Sequence, residues 1–282
     1  MNAPRPDYWR IFLAFARNSL VRDMTFRVNF LIECVSSLSW ALMNLGFYAL
    51  IFNYTDQIGA ASGWGKYEFF TFLATSMLVN SLVQAFFMPN CEEFSELIRT
   101  GHLDFALLKP IDTQFLVSLR KVDWSSLANF ILGLALLGYS LQGLATDPRG
   151  EWRLHPVSAL LYPAYLLCGV GILYSLMIAL AATSIWLGRN QTLYDFWFYI
   201  TNFSRYPMEI YAGRLGSPLR WTFTYLVPVL VVVNVPARLL ALPLAPDNLW
   251  LCGFAVVAAC GSFLASRALF QRALEAYRSA SS

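Results

Sequence analysis

The residues able to do chemistry in this 282-residue chain are few and scattered. His102 and His155 are its only histidines, and Cys34, Cys91, Cys168, Cys252 and Cys260 its only cysteines. No pair among them has metal-ligand spacing. Two loop histidines do not supply a Ser/His/Asp or Cys/His set. Four of the cysteines fall in apolar stretches, where a thiol behaves as a small hydrophobe. Gly65-Lys66 is the only Gly-Lys pair, but Ala60 stands where a phosphate-binding loop needs its first glycine, and Tyr67 where it needs Ser or Thr. The chain is therefore expected to be no enzyme and to carry no metal or cofactor of its own.

What remains is charge placed around apolar segments. Glu33 lies inside the first long apolar stretch. A carboxylate near the centre of a membrane helix costs roughly 2.5–3.5 kcal/mol, and less near its end. Glu33 reads either as a bundle-facing pathway residue or as a carboxylate reaching the inner interface. Asn90 with Glu93 has the spacing of a capping box. Glu92, Glu93 and Glu96 suit the positive end of a helix dipole, and Arg99 the negative end. Gly101 can take the left-handed stop. Residues 90–101 thus read as a short acidic helix with Phe94, Leu97 and Ile98 on one side. It is either a solvated connector or an element that docks into a soluble partner.

These residues sit between stretches long enough to cross a bilayer, whose core of about 30 Å takes about 20 residues of helix. Residues 28–52 hold only Glu33 as a charge, and residues 69–89, 124–146, 156–188 and 248–266 hold none. Hydrophobic residues make up 57% of the chain and charged residues 13%, where soluble domains average about 25%. The mean hydropathy is +0.51. This is an all-α polytopic membrane protein in a single domain. With six crossings, one side receives Arg5, Arg10, Arg17, Arg22, Arg27, Arg99, Lys109, Arg120, Lys121, Arg189, Arg267, Arg272 and Arg278. The other receives Lys66, Arg149, Arg153, Arg205, Arg214, Arg220 and Arg238. The positive-inside rule places both termini in the cytoplasm.

Residues 6–27 carry Tyr8, Ile11, Phe12, Phe15 and Leu20 at helical spacing opposite Arg10 and Arg17, the pattern of an interfacial helix. The fifth crossing, from Gln191 to Ser204, is aromatic and irregular. Residues 205–242 form a broken outer segment containing Tyr206, Pro207, Pro228 and Pro236. An apolar run starting at Trp221 is broken by Pro228 and expected to end at Pro236. Broken helices at membrane depth need protein or water around the freed backbone. Trp221 to Leu242 is expected to form one or two outer re-entrant helices, with a full crossing as the alternative. Phe47, Tyr48, Phe86, Phe87, Trp197 and Tyr199 are candidates to line an amphiphile path, or equally to face lipid or pack. Small residues recur along the last span, at Ala255, Ala258, Ala259, Gly261, Ser262 and Ala265, as helix packing in membranes favours.

The run Thr100-Gly101-His102-Leu103-Asp104-Phe105-Ala106-Leu107-Leu108-Lys109-Pro110 resembles the tG-x-LD-x-xLl-K/R-P signature of ABC-2-type exporter permeases. Arg205-Tyr206-Pro207, with Pro228 and Pro236, is similar to the later yP…iP…P pattern of a bacterial branch of that family. The resemblance implies a permease subunit of an ATP-driven exporter in the bacterial inner membrane. It implies two copies of a separate ATPase, which brings the ATP and Mg. Docking would use the 90–101 helix and the motif residues Leu103, Asp104, Lys109 and Pro110. It also implies a second permease chain, identical or related, across a substrate path, and no nucleic acid partner. Tyr206, Pro207, Pro228 and Pro236, with Glu33, are the pathway or gate candidates. A membrane anchor or assembly subunit without transport of its own is the alternative.

Overall fold

The computed structural model describes residues 6–58, 63–147, 152, 154–187, 191–242 and 246–277, and all regular structure among them is helical. Arg5, Arg149, Arg153, Arg189 and Arg278, used above to orient the chain, lie outside the described residues. Helix α1 spans Tyr8–Thr25 and α2 Arg27–Ile51, with a break at Phe26. The side chain of Asp7 accepts from the Arg10 amide and caps α1. Helix α3 spans Lys66–Phe86, followed by α4 (Met88–Arg99), α5 (His102–Leu107) and α6 (Thr113–Leu119). Then come α7 (Leu127–Thr146), α8 (Pro156–Leu187) and α9 (Gln191–Asn202). Short 3₁₀ turns at Phe203–Arg205 and Met208–Tyr211 lead to α10 (Gly213–Trp221). A π turn at Thr222–Leu226 precedes α11 (Val229–Ala241), and α12 (Pro246–Ala276) closes the chain.

Among the described residues, five helical stretches are long and apolar enough to cross a membrane: Arg27–Ile51, Lys66–Arg99, Leu127–Thr146, Pro156–Leu187 and Leu249–Ala276. A sixth candidate is a bent pair, Gly213–Leu226 and Val229–Ala241, meeting at 87°. Side-chain bonds hold the turn just before that pair against α11. Glu209, just before α10, pairs with Arg238 near the end of α11. The amide of Met208 donates to Asn234 Oδ1 at 2.9 Å. A bent pair of this kind is either a broken span or a re-entrant hairpin. Helix α9 with its 3₁₀ extension, read above as the fifth crossing, spans about 24 Å at helical rises and is not among the stretches long and apolar enough to cross.

Pro228 marks the break, where a continuous helix would need an amide it lacks. Pro236 does not end the run as the sequence suggested. It lies inside α11, which continues to Ala241. The carbonyl of Val232, one turn back, loses its usual donor to this proline. That oxygen packs against α8 at Gly169, where an added Cβ would stand 2.7 Å from it. Close approach of the two backbones shields the carbonyl from hydrocarbon, and glycine is what permits it.

Helix α11 is the centre of the fold. Every residue from Val229 to Ala241 except Arg238 is buried, against α8, α3 and the turn after α9. Helices α3 and α7 pack closely through Gly133, whose Cβ position lies 3.2 Å from Leu78 and Met77, and through Gly143 against the Tyr67 ring. Between them Thr71 donates to Ser140 at 3.0 Å, and Thr75 bonds Tyr162 of α8 at 3.0 Å. The long helices α8 and α12 form the most extensive pairing. Ala255 and Ala258 are buried there, whereas Gly261 meets nothing within 4 Å. By contrast α2 has no buried residue.

Candidate functional site

Two regions gather the residues singled out from the sequence. The first is the basic end of the bundle. Asn90 is buried within the first turns of α4 rather than capping it, because α4 begins at Met88 with Pro89 tolerated in its first turn. The Asn90 carboxamide instead binds a distant strand of chain. Its Nδ2 donates to the carbonyls of Phe86 at 2.9 Å and Lys121 at 2.7 Å, and its Oδ1 accepts from the Lys121 amide at 2.7 Å. Glu93 pairs with Lys121 at 2.6 Å rather than completing a capping box. The same strap holds α1: the Val122 amide donates to Ser19 Oγ at 3.1 Å, and Trp124 Nε1 to the Ala16 carbonyl at 3.2 Å. Asp123 closes it by accepting from Ser125 and Ser126 at 2.6 Å each. Residues 121–126 thus join α1, α4 and α7 into one platform.

The apolar side of α4 is used within the chain. Phe94 is fully buried against Phe270 of α12, and Leu97 is buried too. What α4 shows to solvent is Glu92, Glu96 and Arg99, the last two paired with a 2.8 Å bond from Arg99 Nε to Glu96 Oε2. That pair holds the Glu96 carboxyl below the usual carboxylate range. Gly101 takes the left-handed stop at φ +72° and turns the chain into α5. The motif then divides. Leu103 is buried, while Phe105, Leu107, Leu108, Lys109 and Pro110 are exposed, with Leu108 at 81%. Asp104 lies part-buried between them. A cleft of about 550 Å³ beside α5 is lined by Glu93, Leu97, His102, Phe105, Lys109 and Arg120, among others. Composition and spacing pointed to the acidic helix, but the exposed apolar surface belongs to the motif helix after it. The sole sequence signal was two turns of apolar residues with no long helix to bury them.

Asp112 and α6 connect this end to the bundle. Asp112 caps α6 by accepting from the Phe115 amide at 2.9 Å, and it pairs with Arg267 of α12. Arg267 also donates to Gln114 at 3.0 Å, and Gln114 donates to Tyr174 of α8 at 3.0 Å. The guanidinium holds the Asp112 carboxyl below its ordinary value. Tyr8 of α1 stacks edge-on to Phe115 at 4.9 Å. Glu33 faces this end rather than the interior. It accepts from Asn29 at 2.6 Å and lines an open cleft of about 690 Å³ with Arg22, Asp23, Asn29 and Asp123.

The second region is the far half of the bundle. Glu209 bridges Arg238 and Trp64, accepting from Trp64 Nε1 at 2.8 Å. Trp152 Nε1 donates to the Leu240 carbonyl at 2.8 Å. Pro207 is buried, with Tyr206 exposed beside it. Tyr206 lines a groove of about 320 Å³ between α2, α3, α7 and α9. Its aromatic wall is Trp40, Phe47, Tyr48, Trp197, Phe198 and Tyr206, and its polar wall Asn44, Ser76, Asn80, Ser81, Gln84 and Asn129, with Arg205 at one end. Of the aromatic candidates, Phe47, Tyr48 and Trp197 meet here. Phe86 packs on Phe12, Phe87 on Tyr174, and Tyr199 points outward. Pro228 and Pro236 belong to the bent pair and do not line the groove. Four residues of the polar wall lie on α3, where Ser76, Asn80 and Gln84 recur at one-turn spacing; that stripe was the signal in the sequence, and Asn44 and Asn129 join it only through the packing of α2 and α7.

A family model described as ABC-2 family transporter protein matches residues 38–281. No curated protein and no solved structure matches the chain. The match begins inside α2, so α1 lies before it, and it takes in the motif helix, the bent helix pair and the last span. A multi-pass helical bundle with a structured basic end and this coverage makes the chain a member of the ABC-2 transporter family, a membrane component rather than an ATPase.

Proposed function

We propose that the chain is the permease subunit of an ATP-driven exporter in the bacterial cytoplasmic membrane. Its basic end, with both termini, faces the cytoplasm, and its re-entrant hairpin faces outward. Two copies of a separate ATPase supply ATP and Mg, and a second permease chain completes the path. The carrying observation is the platform of α4, α5 and α6. It exposes Phe105, Leu107 and Leu108 beside Glu92, Glu96 and Lys109, while its other face is bonded into α1, α7, α8 and α12. An apolar patch rimmed by charge is what a docking partner needs. A platform fixed to four helices passes on motion imposed at its surface.

ATP-driven closure of the partner then shifts an equilibrium between permease states, by no more than its differential affinity for them. Asn90, Glu93, Leu97 and Phe94 act as the frame of the docking surface; Glu92, Glu96, Arg99 and the segment from Gly101 to Pro110 are its contact face. Tyr206, Pro207, Pro228 and Pro236 shape the outer gate, and Glu33 lies at the inner mouth. The test is co-purification with a co-expressed ABC ATPase subunit. Phe105→Asp and Leu108→Asp should leave insertion intact and reduce recovered ATPase at least tenfold. Full recovery with both variants would leave the chain as a membrane anchor whose platform serves another purpose.

A further inference from the structure

We propose that the Asp112–Arg267 pair, with Gln114, Ser118 and Tyr174 around it, is the latch that carries movement of the docking platform into α8, α12 and the bent pair α10–α11. Asp112 and Arg267 are positioning residues, acting through the helices they join. The inference rests on the permease reading for the source of the movement.

Asp112 stands two residues beyond Pro110, where the exposed segment of the platform ends. Three elements meet on it. Its carboxylate caps α6 by accepting from the Phe115 amide at 2.9 Å. Both of its oxygens accept from Arg267 of α12, Oδ1 from Nη1 at 2.9 Å and Oδ2 from Nη2. Its amide donates to the Tyr8 hydroxyl of α1 at 3.4 Å. A two-pronged bond between guanidinium and carboxylate fixes orientation as well as distance. The start of α6 and the inner end of α12 therefore turn together.

The buried face of α6 is half polar. Gln114 and Ser118, one turn apart, are buried toward α8, where both bond the Tyr174 hydroxyl, at 3.0 and 2.8 Å. Gln114 Oε1 also accepts from Arg267 Nη1 at 3.0 Å. By contrast, α4 meets α12 through the rings of Phe94 and Phe270, with centroids 5.6 Å apart. Apolar attraction is non-directional, so such surfaces can slide. A buried set of directional bonds stays in register or breaks. The contact at α6 transmits displacement that the contact at α4 absorbs. The Arg267 and Asp112 side chains are 35% and 30% exposed, so water reaches both, and a variant that removes one does not strand the other.

Both receiving helices reach α11. Arg267 lies about 24 Å along α12 from Leu251 at helical rise. Leu251, Cys252 and Ala255 share one apolar cluster with Leu230, Val231 and Val235 of α11. No proline interrupts α12 between these points. Tyr174 shares α8 with Gly169, the residue on which the Val232 carbonyl of α11 packs. A displacement of α6 thus reaches α11 along two continuous helices.

The test uses the permease co-expressed with an ABC ATPase subunit and reconstituted in lipid nanodiscs. Hydrogen exchange read by mass spectrometry compares residues 213–226 with Mg-AMP-PNP and without nucleotide. The unsubstituted chain is expected to show a nucleotide-dependent change there. Asp112→Asn keeps a capping side chain and loses the charge. Arg267→Met keeps the stem and loses the fork. Each should reduce the change by about fivefold or more, while recovered ATPase and its rate of hydrolysis stay level. The double variant should lose no more than either single one, because all three remove the same bond. Arg10→Gln, which breaks the exposed Asp7–Arg10 pair of α1, should leave the change intact. A full nucleotide response in both single variants would overturn the proposal, as would losses that multiply in the double variant. Loss of recovered ATPase in step with the response would also overturn it, by making the pair a support of the docking surface. An unsubstituted chain that shows no nucleotide response removes the permease reading, and the proposal with it.

Discussion

Helix α11 is enclosed by its own chain, whereas α2, nearly twice as long, has no buried residue at all. Both are apolar, and hydropathy alone does not tell them apart. In a bilayer, lipid is as apolar as a leucine side chain, so exposure of α2 carries no penalty that packing must repay. Enclosure of α11 does carry one, because every polar group on it must find a partner inside the protein. Asn234 bonds the Met208 amide and the Leu230 carbonyl, Arg238 pairs with Glu209, and the carbonyl freed by Pro236 is sheltered at Gly169. The lesson is that helix polarity in a membrane protein reports where the internal bonds are, and helix hydropathy reports only depth.

The largest effect should come from breaking the enclosed pair. Glu209→Ala removes the carboxylate shared by Arg238 and Trp64 in a mostly buried site and should give the largest destabilisation of the set. Thermal unfolding in detergent should detect it, and a shift like that of a surface variant would refute the role given to this pair. Next is Gly169→Val, which drives a side chain into the Val232 carbonyl and should cost about 1–3 kcal/mol. Gly171→Ala, two residues on, meets nothing within 4 Å and serves as its control. On α2, Ile32→Ala and Met43→Ala should change the stability of the isolated chain by less than about 0.5 kcal/mol. A large loss there would mean that α2 is packed rather than lipid-facing.

The smallest effect concerns pH at the basic end. Arg267 depresses the Asp112 carboxyl below its ordinary 3.8. A lowered carboxylate contributes stability above its unfolded value and loses it as pH falls through the folded one. The Asp112→Asn destabilisation should therefore be constant from pH 5 to 9 and shrink only under strong acid. A change centred near neutrality would contradict the pairing.

The parts of the fold legible in the sequence were those set by local chemistry. The apolar stretches, the left-handed stop at Gly101 and the break at Pro228 each depend on a few neighbouring residues. The capping box failed because Asn90 found a better partner in the Lys121 backbone, 31 residues away, once α4 continued almost directly from α3. Pro236 was misplaced because a proline inside a helix is costly in general, and only the approach of Gly169 shields the carbonyl. Phe94 was legible as apolar but not as buried, since that depends on Phe270 at the far end of the chain. The groove depends on four helices at once, and only its α3 stripe of Ser76, Asn80 and Gln84 is a local pattern.

In the proposed permease the hairpin re-enters, so that the docking platform and the hairpin lie on opposite faces of the membrane. Two-sided labelling of Glu96→Cys and Ser217→Cys with a membrane-impermeant maleimide tests it most directly; both positions are exposed. Glu96→Cys is expected to label only from the cytoplasm and Ser217→Cys only from outside, with Tyr54→Cys behaving like Ser217→Cys. Labelling of Ser217→Cys from the cytoplasm, on the same face as Glu96→Cys, would contradict the account.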